Sequence, residues 1–487
     1  MSGMIDLRPL IPAVILSITG VVVILAQAFT PKGRSAPSAL LSQAGLFGAL
    51  AAVYVVARDA RGATTGDSVV ADDFALFFHV LLLAIGIVVV LLSPSYLKAN
   101  GLDRGEYYAL VLFSIVGMLG LVSCLELVSM FVALEIMSIA LYGLAGMDRA
   151  RMESQESALK YFIAGAFSSA FFLYGVALIY GVTGSTALEK IARSMGVLSP
   201  DSATLAVLGA GFLLVGFGFK VASVPFHMWA PDVYEGAPTT VTALMSAGVK
   251  AAAFGGLLRV FGQGLPALGS HWKPLVAVLA IVTIVGGNLG ALAQSSIKRM
   301  LAYSSVAHAG YLLTALVAAP GIGAEAILFY LVAYAAVNLG AFGAFSALAR
   351  DRREPLSLSD VAGLADRRPL LAAVLTVFLI SLTGVPVTAG FVGKFYLFNA
   401  AVSAGRVGVI LAIVGGLMSA VSAYYYLRVV VAMYMREPEK DDDWGAIAPA
   451  SALALAASVA VVLVLGVYPA PLLALARQAA QSLQLRF

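Results

Sequence analysis

Four ionisable residues interrupt stretches of sequence that are otherwise apolar enough for a membrane core. They are Lys220 in GFLLVGFGFKVASVPF, Lys250 in VTALMSAGVKAAAFGGLL, Lys394 in LTGVPVTAGFVGKFYLF and Glu135 in LVSMFVALEIMSIALYGL. A charge at the centre of a bilayer costs about 3 kcal/mol on insertion scales. Burial and neighbouring charges allow such groups to exchange protons near neutral pH, so the four residues predict an ion or proton path across a membrane.

Each of these residues also has a structural alternative. Lys220 and Lys394 could extend to the membrane interface, and Lys250 could form a structural ion pair. An isolated buried carboxylate would take up a proton, whereas Glu135 beside Lys220 would stay charged and favour the charged lysine. Separation of this pair would then release the proton of Lys220 towards Lys250.

Three further residues could carry protons. His227 lies in VASVPFHMWAP and His308 in KRMLAYSSVAHAGYLL. Histidine titrates near pH 6.5, so each could pass protons between lysines, although each could equally be structural. Lys160, one turn into a predicted helix, could admit protons from the aqueous side or extend to the interface. Ser304 and Ser305 could hold water, or join helices through polar contacts.

The composition is that of a membrane protein. Of the 487 residues, 61% are hydrophobic and only 11% are charged, whereas soluble domains are about half apolar and a quarter charged. The formal net charge of +4 is modest, and no long basic run suggests nucleic acid as a partner. The one cysteine, Cys124, excludes an internal disulfide and a multi-cysteine iron–sulfur site.

Apolar runs of about 20 residues recur along the whole chain, and each is long enough to cross the hydrocarbon. We predict an all-α polytopic membrane protein with about 14 transmembrane helices. They are placed at 7–29, 38–57, 74–97, 107–124, 126–147, 155–182, 202–235, 238–262, 272–294, 299–318, 323–349, 369–402, 406–435 and 446–476. The longer connections are 183–201, expected to form a short interfacial helix, 350–368 and 436–445.

Lysine and arginine are more frequent in one set of loops than in the other. The richer set includes 350–368 and is assigned to the cytoplasm, because positive loops stay on that side. We therefore expect both termini on the outer face of the membrane.

Two of the predicted helices contain proline in their interior. Pro225 lies in VASVPFHMWAP and Pro386 in SLTGVPVTAG. Proline removes a backbone donor and clashes with the preceding turn, so both helices should break there, as in the inverted repeats of transporters. The predicted organisation is an N-terminal three-helix segment at 1–106, two inverted five-helix repeats, each with a broken helix, at 107–262 and 263–435, and a C-terminal loop and last helix at 436–487.

Four segments within 107–435, in this order, resemble the proton-translocating, antiporter-like membrane subunits of respiratory complex I, the NADH-quinone oxidoreductase. They are ESALKYFIAGAFSSAFFLYG, GFKVASVPFHMWAPDVYEGAPTTVTALMS, IKRMLAYSSVAHAGY and GVPVTAGFVGKFYLF. The resemblance implies that Glu135 and Lys220 form an input pair, that Lys250 is the central relay and that Lys394 is the exit lysine.

The resemblance also implies a large enzyme complex in the cell inner membrane. Other membrane-arm subunits, including neighbouring antiporter-like subunits, and the lipid bilayer would be the partners of this chain. Flavin mononucleotide (FMN), iron–sulfur clusters and a quinone are expected on other subunits, with no cofactor and no metal here. Two alternatives stay open: a subunit of a multi-subunit cation/proton antiporter, which shares the fold, and a mainly structural membrane-arm subunit.

Overall fold

The computed structural model describes residues 6–30, 37–66, 68–196, 198–350, 354, 357–438 and 446–483. Helices dominate this part of the chain. Two short strands, β1 (Thr64–Thr65) and β2 (Val69–Val70), pair in antiparallel fashion in one loop. Most residues of the connection predicted at 436–445, and several of the one predicted at 350–368, lie outside the described residues.

The first three long helices differ in how deeply they are buried. Their bounds are α1 (Ile11–Ala28), which follows a 3-10 turn at Arg8–Leu10, α2 (Ser38–Asp59) and α3 (Asp73–Asn100). α1 and α2 expose many large apolar side chains, as expected for helices that face lipid, whereas α3 lies mostly in the interior. Asp72 is the N-cap of α3, and its side chain accepts a hydrogen bond from Ala75 N at 2.9 Å.

In the described residues, the first half of the fold contains eight helices. They are α4 (Gly105–Ser123), α5 (Leu127–Ala145), α6 (Met152–Thr183), α7 (Leu188–Met195), α8 (Pro200–Val221), α9 (Trp229–Gly236), α10 (Thr239–Leu244) and α11 (Lys250–Arg259). α7 confirms the short helix predicted between 183 and 201. A π-helical turn at Met245–Val249 joins α10 to α11, and a second one at Val260–Gly264 follows α11. Thr239–Gly264 is therefore one membrane-length helix, and it is completely surrounded by protein.

The second half begins after a 3-10 turn at Pro266–Leu268 and, in the part of the chain that the structure describes, contains nine more helices. They are α12 (Gly269–Leu292), α13 (Ile297–Leu316), α14 (Ile322–Ala347), α15 (Leu364–Arg367), α16 (Pro369–Thr383), α17 (Ala389–Val402), α18 (Arg406–Met435), α19 (Pro449–Val467) and α20 (Ala470–Ser482). Among them α13 and α14 are the most deeply buried, so their side chains form the centre of this half.

Both predicted helix breaks are present. α8 ends at Val221, three residues after which comes a cis Val224–Pro225 peptide bond, and the chain resumes as α9 at Trp229. α16 ends at Thr383, where Gly384 takes a left-handed conformation with φ +92 that glycine adopts without strain. As a result, Lys220 lies just before its break, and Lys394 lies in the second turn after its own.

Twelve helices in the described residues are long and apolar enough to cross a membrane. Two of the fourteen predicted spans are not among them. α13 is more polar than its neighbours and carries Lys298 and Arg299 in its first turn. The span predicted at 369–402 is divided between α16 and α17. The chain is thus a polytopic helical membrane protein, while fourteen crossings and two inverted repeats stay predictions.

Candidate functional site

Lys220 occupies the last turn of α8 and is buried. Its Nζ donates a hydrogen bond to Ser138 Oγ on α5 at 2.8 Å. Three aromatic rings surround the ammonium, with centroids 5.6, 5.6 and 5.1 Å away for Tyr142, Tyr161 and Phe219. Such rings attract a cation. The side chain therefore stays in the interior instead of extending to the membrane interface.

Glu135 precedes Ser138 by one turn of α5, so the two side chains share a helix face. Its carboxylate accepts a hydrogen bond from the Ser169 hydroxyl on α6. In the described part of the chain, no ion pair joins Glu135 to Lys220, because each is held by its own serine. Glu135 and the serine that binds Lys220 are thus one turn apart on α5, and the predicted input pair does not form a salt bridge in the described residues.

Lys250 is the first residue of α11 and is 2% exposed. Its Nζ donates to the carbonyl oxygen of Ser305, to Ser305 Oγ at 2.6 Å and to the Tyr334 hydroxyl at 3.4 Å. Among the described residues no carboxylate pairs with Lys250, which argues against the structural ion pair. Neutral partners accommodate an ammonium without fixing its charge, as a relay group requires.

His308 on α13 is surrounded by tyrosines from α13 itself, α14 and α18. Its Nδ1 is hydrogen-bonded to the Tyr330 hydroxyl on α14, and its Nε2 lies 3.2 Å from the Tyr426 hydroxyl on α18. The ring centroid is 5.2 Å from that of Tyr334 and 5.4 Å from that of Tyr311. Both imidazole nitrogens therefore have a hydroxyl partner, which lets the ring accept a proton at one nitrogen and donate from the other.

Lys394 reaches back from α17 across the break in its helix. Its Nζ donates to the carbonyl oxygens of Leu382 and Thr383 at 2.8 and 3.0 Å, and to Ser419 Oγ at 2.7 Å. These carbonyls are available because α16 ends at Thr383, and the negative end of a helix dipole stabilises a cation. The ammonium also lies 4.9 Å from the centroid of the Tyr311 ring.

These contacts link Lys250 to Lys394 through the centre of the second half. A hydrogen bond leads from Lys250 to Tyr334, and ring contacts lead from Tyr334 to His308 and on to Tyr311, whose ring lies beside the Lys394 ammonium. We call this set the central route; it comprises Lys250, Ser305, Tyr334, His308, Tyr311 and Lys394.

Lys220 lies outside the central route. No chain of direct side-chain hydrogen bonds leads from Lys220 to Lys250 in the residues that the structure describes. Aromatic rings lie on this side instead: Tyr161, beside Lys220, stacks on Trp229 at 4.5 Å, and Trp229 meets Tyr234 edge-on at 6.1 Å.

The family model for the transmembrane region of NADH:quinone oxidoreductase and Mrp antiporter proteins matches residues 124–422, more than half of the chain. The chain belongs to this family. The match includes every residue that the sequence suggested for proton transfer.

Relatives of this antiporter-family chain are named NADH-quinone oxidoreductase subunit N. One from Trichlorobacter lovleyi is 45% identical over 477 residues, covering 98% of this chain and 97% of the relative. Another, from Koribacter versatilis, is 46% identical over 487 residues, covering 98% of each. Both confirm the resemblance found in the sequence, within which FHMWAPDVYEGAP and the lysine of GFVGKFYLF favour subunit N.

Solved structures of family members have the same fold. A chain of respiratory complex I from Thermus thermophilus with bound aureothin is 37% identical, covers 95% of this chain and 98% of that chain, and superposes with a TM-score of 0.81. A chain of the Mrp complex from a Dietzia species is 25% identical, covers 98% of this chain and 97% of that one, and has a TM-score of 0.84.

Two of the residues predicted from the sequence, Lys160 and His227, lie outside the central route. The Lys160 side chain is 45% exposed and forms ion pairs with Glu156 and Asp232, both at 2.6 Å. His227 lies in the break after α8, half-buried, with its ring 6.3 Å from that of Tyr303. Both residues are more exposed than the buried lysines.

The tyrosines are the part of the site that sequence analysis missed. Tyr330 and Tyr334 are spaced by four residues on α14, and Asn338 continues the same face. Polar side chains at this spacing in an apolar helix form a polar stripe, and that stripe could have indicated these tyrosines from the sequence. Tyr426 had no comparable signal, because its contacts with Ser304 and His308 come from different helices.

Proposed function

We propose that this chain is the proton-translocating subunit N of an NADH-quinone oxidoreductase in the cell inner membrane. The observation that carries the proposal is the central route. Lys250 and Lys394 are buried, each is held by hydroxyl or carbonyl groups, and His308 lies between them with a hydroxyl at each nitrogen. Buried ionisable groups in a membrane mark ion paths, because their cost is tolerated only where they function.

The input step uses Glu135 and Lys220. When the Glu135 carboxylate turns from Ser169 towards Lys220, its negative charge favours the ammonium form of the lysine. When it turns back, Lys220 is left among aromatic rings with only Ser138 as a partner, and the proton moves on to Lys250. Ser138 and Ser169 provide the two alternative hydrogen-bonding partners that such a switch needs.

The transfer step uses the central route. The Lys250 ammonium donates towards Ser305 and Tyr334, whose hydroxyls are also bonded to each other at 2.8 Å. A hydroxyl accepts one proton while it releases another, so such a pair conducts protons without holding a charge. His308 has a ring contact with Tyr334 and no direct hydrogen bond to it in the described residues, so water would bridge the two groups. His308 then receives the proton, and Lys394, reached in the same way, holds it beside the carbonyls of α16 before release to the outer side.

Lys160 and His227 have auxiliary roles in this proposal. Lys160, with Asp232, would collect protons from the cytoplasmic side, and His227 would stand in the helix break, where water can enter. Quinone reduction, with FMN, iron–sulfur clusters and the quinone, would occur on other subunits. Neighbouring antiporter-like subunits would transmit that reaction to Glu135 as a change in local charge.

A cation/proton antiporter subunit is the second candidate, since the family includes Mrp proteins and the Dietzia chain has the same fold. Purification of the native complex that contains this chain separates the two. We expect bound flavin, iron–sulfur signals and NADH:quinone reductase activity to co-purify. A complex that lacks flavin and exchanges sodium for protons in vesicles would instead establish the antiporter.

The orientation of the chain can be tested with single cysteines. Positive loops place Ala150 on the cytoplasmic side and Gln481 on the outer side, and both residues are exposed. A membrane-impermeant maleimide added to intact cells should label Gln481→Cys and not Ala150→Cys. The native Cys124 is buried and serves as the unlabelled background. The reverse labelling pattern would show that the assigned orientation is wrong.

A further inference from the structure

Arg259, the last residue of α11, forms a completely buried ion pair. Its guanidinium donates to both carboxylate oxygens of Asp72, at 2.8 and 2.6 Å, and its Nε donates to the carbonyl oxygen of Val122 at 2.8 Å. The side chains of Arg259 and Asp72 are 0% and 5% exposed. A planar guanidinium bonded to two oxygens fixes orientation as well as distance. The outer end of α11 is therefore fastened to the beginning of α3.

α3 is attached a second time at the other end of the same helix. The Tyr96 hydroxyl accepts a hydrogen bond from the backbone N–H of Thr239, the first residue of α10, at 3.0 Å. Ser93, one turn earlier on α3, is hydrogen-bonded to the Tyr107 hydroxyl at 2.8 Å, and Tyr107 donates to Thr240 Oγ1 at 2.8 Å. The inner end of the helix is thus also held by α3.

The two attachments lie at the opposite ends of both helices. At 1.5 Å per residue, Asp72 and Tyr96 are about 36 Å apart along α3, and Thr239 and Arg259 are about 30 Å apart along their helix. Asp72 contacts the residue that comes later in the chain, so the two helices run antiparallel. α3 therefore lies alongside the helix that carries Lys250 over almost the whole length of that helix.

The helix that carries Lys250 needs external support. π-helical turns at Met245–Val249 and Val260–Gly264 flank α11 on both sides. A π turn has i→i+5 hydrogen bonds and one extra residue, so it changes the rotation of the next segment, which neighbouring helices must then hold in place. Lys250 nevertheless must keep its Nζ within bonding distance of Ser305 and Tyr334.

We infer that α3 helps to hold Lys250 in register with the central route through its attachments at both ends, and that Arg259 and Asp72 are positioning residues for proton transfer. The inference rests on the proposed function, because it assigns these residues a role through Lys250. It extends the functional unit beyond the two five-helix segments to a helix of the N-terminal segment.

Arg259→Lys tests the inference in the assembled complex, because lysine keeps the charge but donates from one nitrogen and so lacks the planar fork that bonds both carboxylate oxygens and Val122 from three nitrogens. Misplacement of reacting groups by about 1 Å can cost about 100-fold in rate. We expect proton pumping per assembled complex to fall about tenfold or more and the pH profile of coupled quinone reduction to shift. Loss of complex alone lowers activity equally at every pH and cannot move that profile.

Arg61→Lys is the matched control. Arg61 pairs with Asp73, the neighbour of Asp72, but its side chain is 53% exposed. The control should pump normally. Asp72→Asn, nearly equal in shape to the native residue, should reproduce the effect of Arg259→Lys. Normal rates and pH profiles in both core variants, or failure of both to assemble, would overturn the inference. Normal pumping in Lys250→Ala would instead overturn the proposed function.

Discussion

Lys250→Ala should stop proton pumping while the complex still assembles. Alanine favours the helix, and Ser305 and Tyr334 remain hydrogen-bonded to each other at 2.8 Å when the ammonium is gone. The pumping rate should fall by about 100-fold or more, the usual contribution of a positioned proton donor or acceptor. Quinone reduction coupled to pumping should fall with it. Both are measured in vesicles that contain equal amounts of complex.

Lys250→Arg separates a relay from a structural charge. Arginine keeps the positive charge but does not release its proton, so this variant should be as inactive as Lys250→Ala if Lys250 is a relay. Lys98→Ala removes an exposed lysine from α3 and should leave pumping unchanged. A Lys250→Arg complex that pumps at the normal rate would show that only the charge at this position matters.

The buried lysines were predictable from the sequence because a charge in an apolar run has few explanations. Lys220, Lys250 and Lys394 interrupt such runs, and all three side chains are buried in the structure. The helix breaks were predictable because proline in the middle of an apolar span removes a backbone hydrogen bond and clashes with the preceding turn, whereas Pro94 and Pro274, near the ends of α3 and α12, leave those helices continuous. These features depend on local sequence alone, which is why no tertiary information was needed.

The partners of the lysines were not predictable in the same way. Tyr334 is an ordinary residue for a membrane helix, and its role depends on α13 placing Ser305 against it. Arg259 did leave a signal, as a charge in an apolar run, but it lies close enough to the end of its span to resemble an interface residue. Only the fold shows that Asp72, nearly 200 residues earlier, meets it. The π turns beside α11 have no sequence signature comparable to that of proline.

Glu135→Gln should uncouple the input step. For unit charges about 6–8 Å apart at an effective dielectric constant of about 20, the attraction is about 2–3 kcal/mol. That energy changes a proton equilibrium by about 30- to 100-fold. Glutamine can still accept the hydrogen bond from Ser169, so folding should be preserved. Without the negative charge, the ammonium form of Lys220 is no longer stabilised by an opposite charge. The pumping rate should therefore fall by about the same 30- to 100-fold factor.

Glu135→Asp distinguishes loss of charge from loss of shape. Aspartate keeps the carboxylate on a shorter side chain, so it should retain part of the pumping that Glu135→Gln loses. Glu126→Gln is a matched control, because Glu126 precedes α5 and bonds to Ser129 and Thr186 instead of lying on the route. It should pump normally. If Glu135→Gln pumps like the native protein at equal complex content, the carboxylate has a structural role, and the alternation between Ser169 and Lys220 cannot drive proton movement.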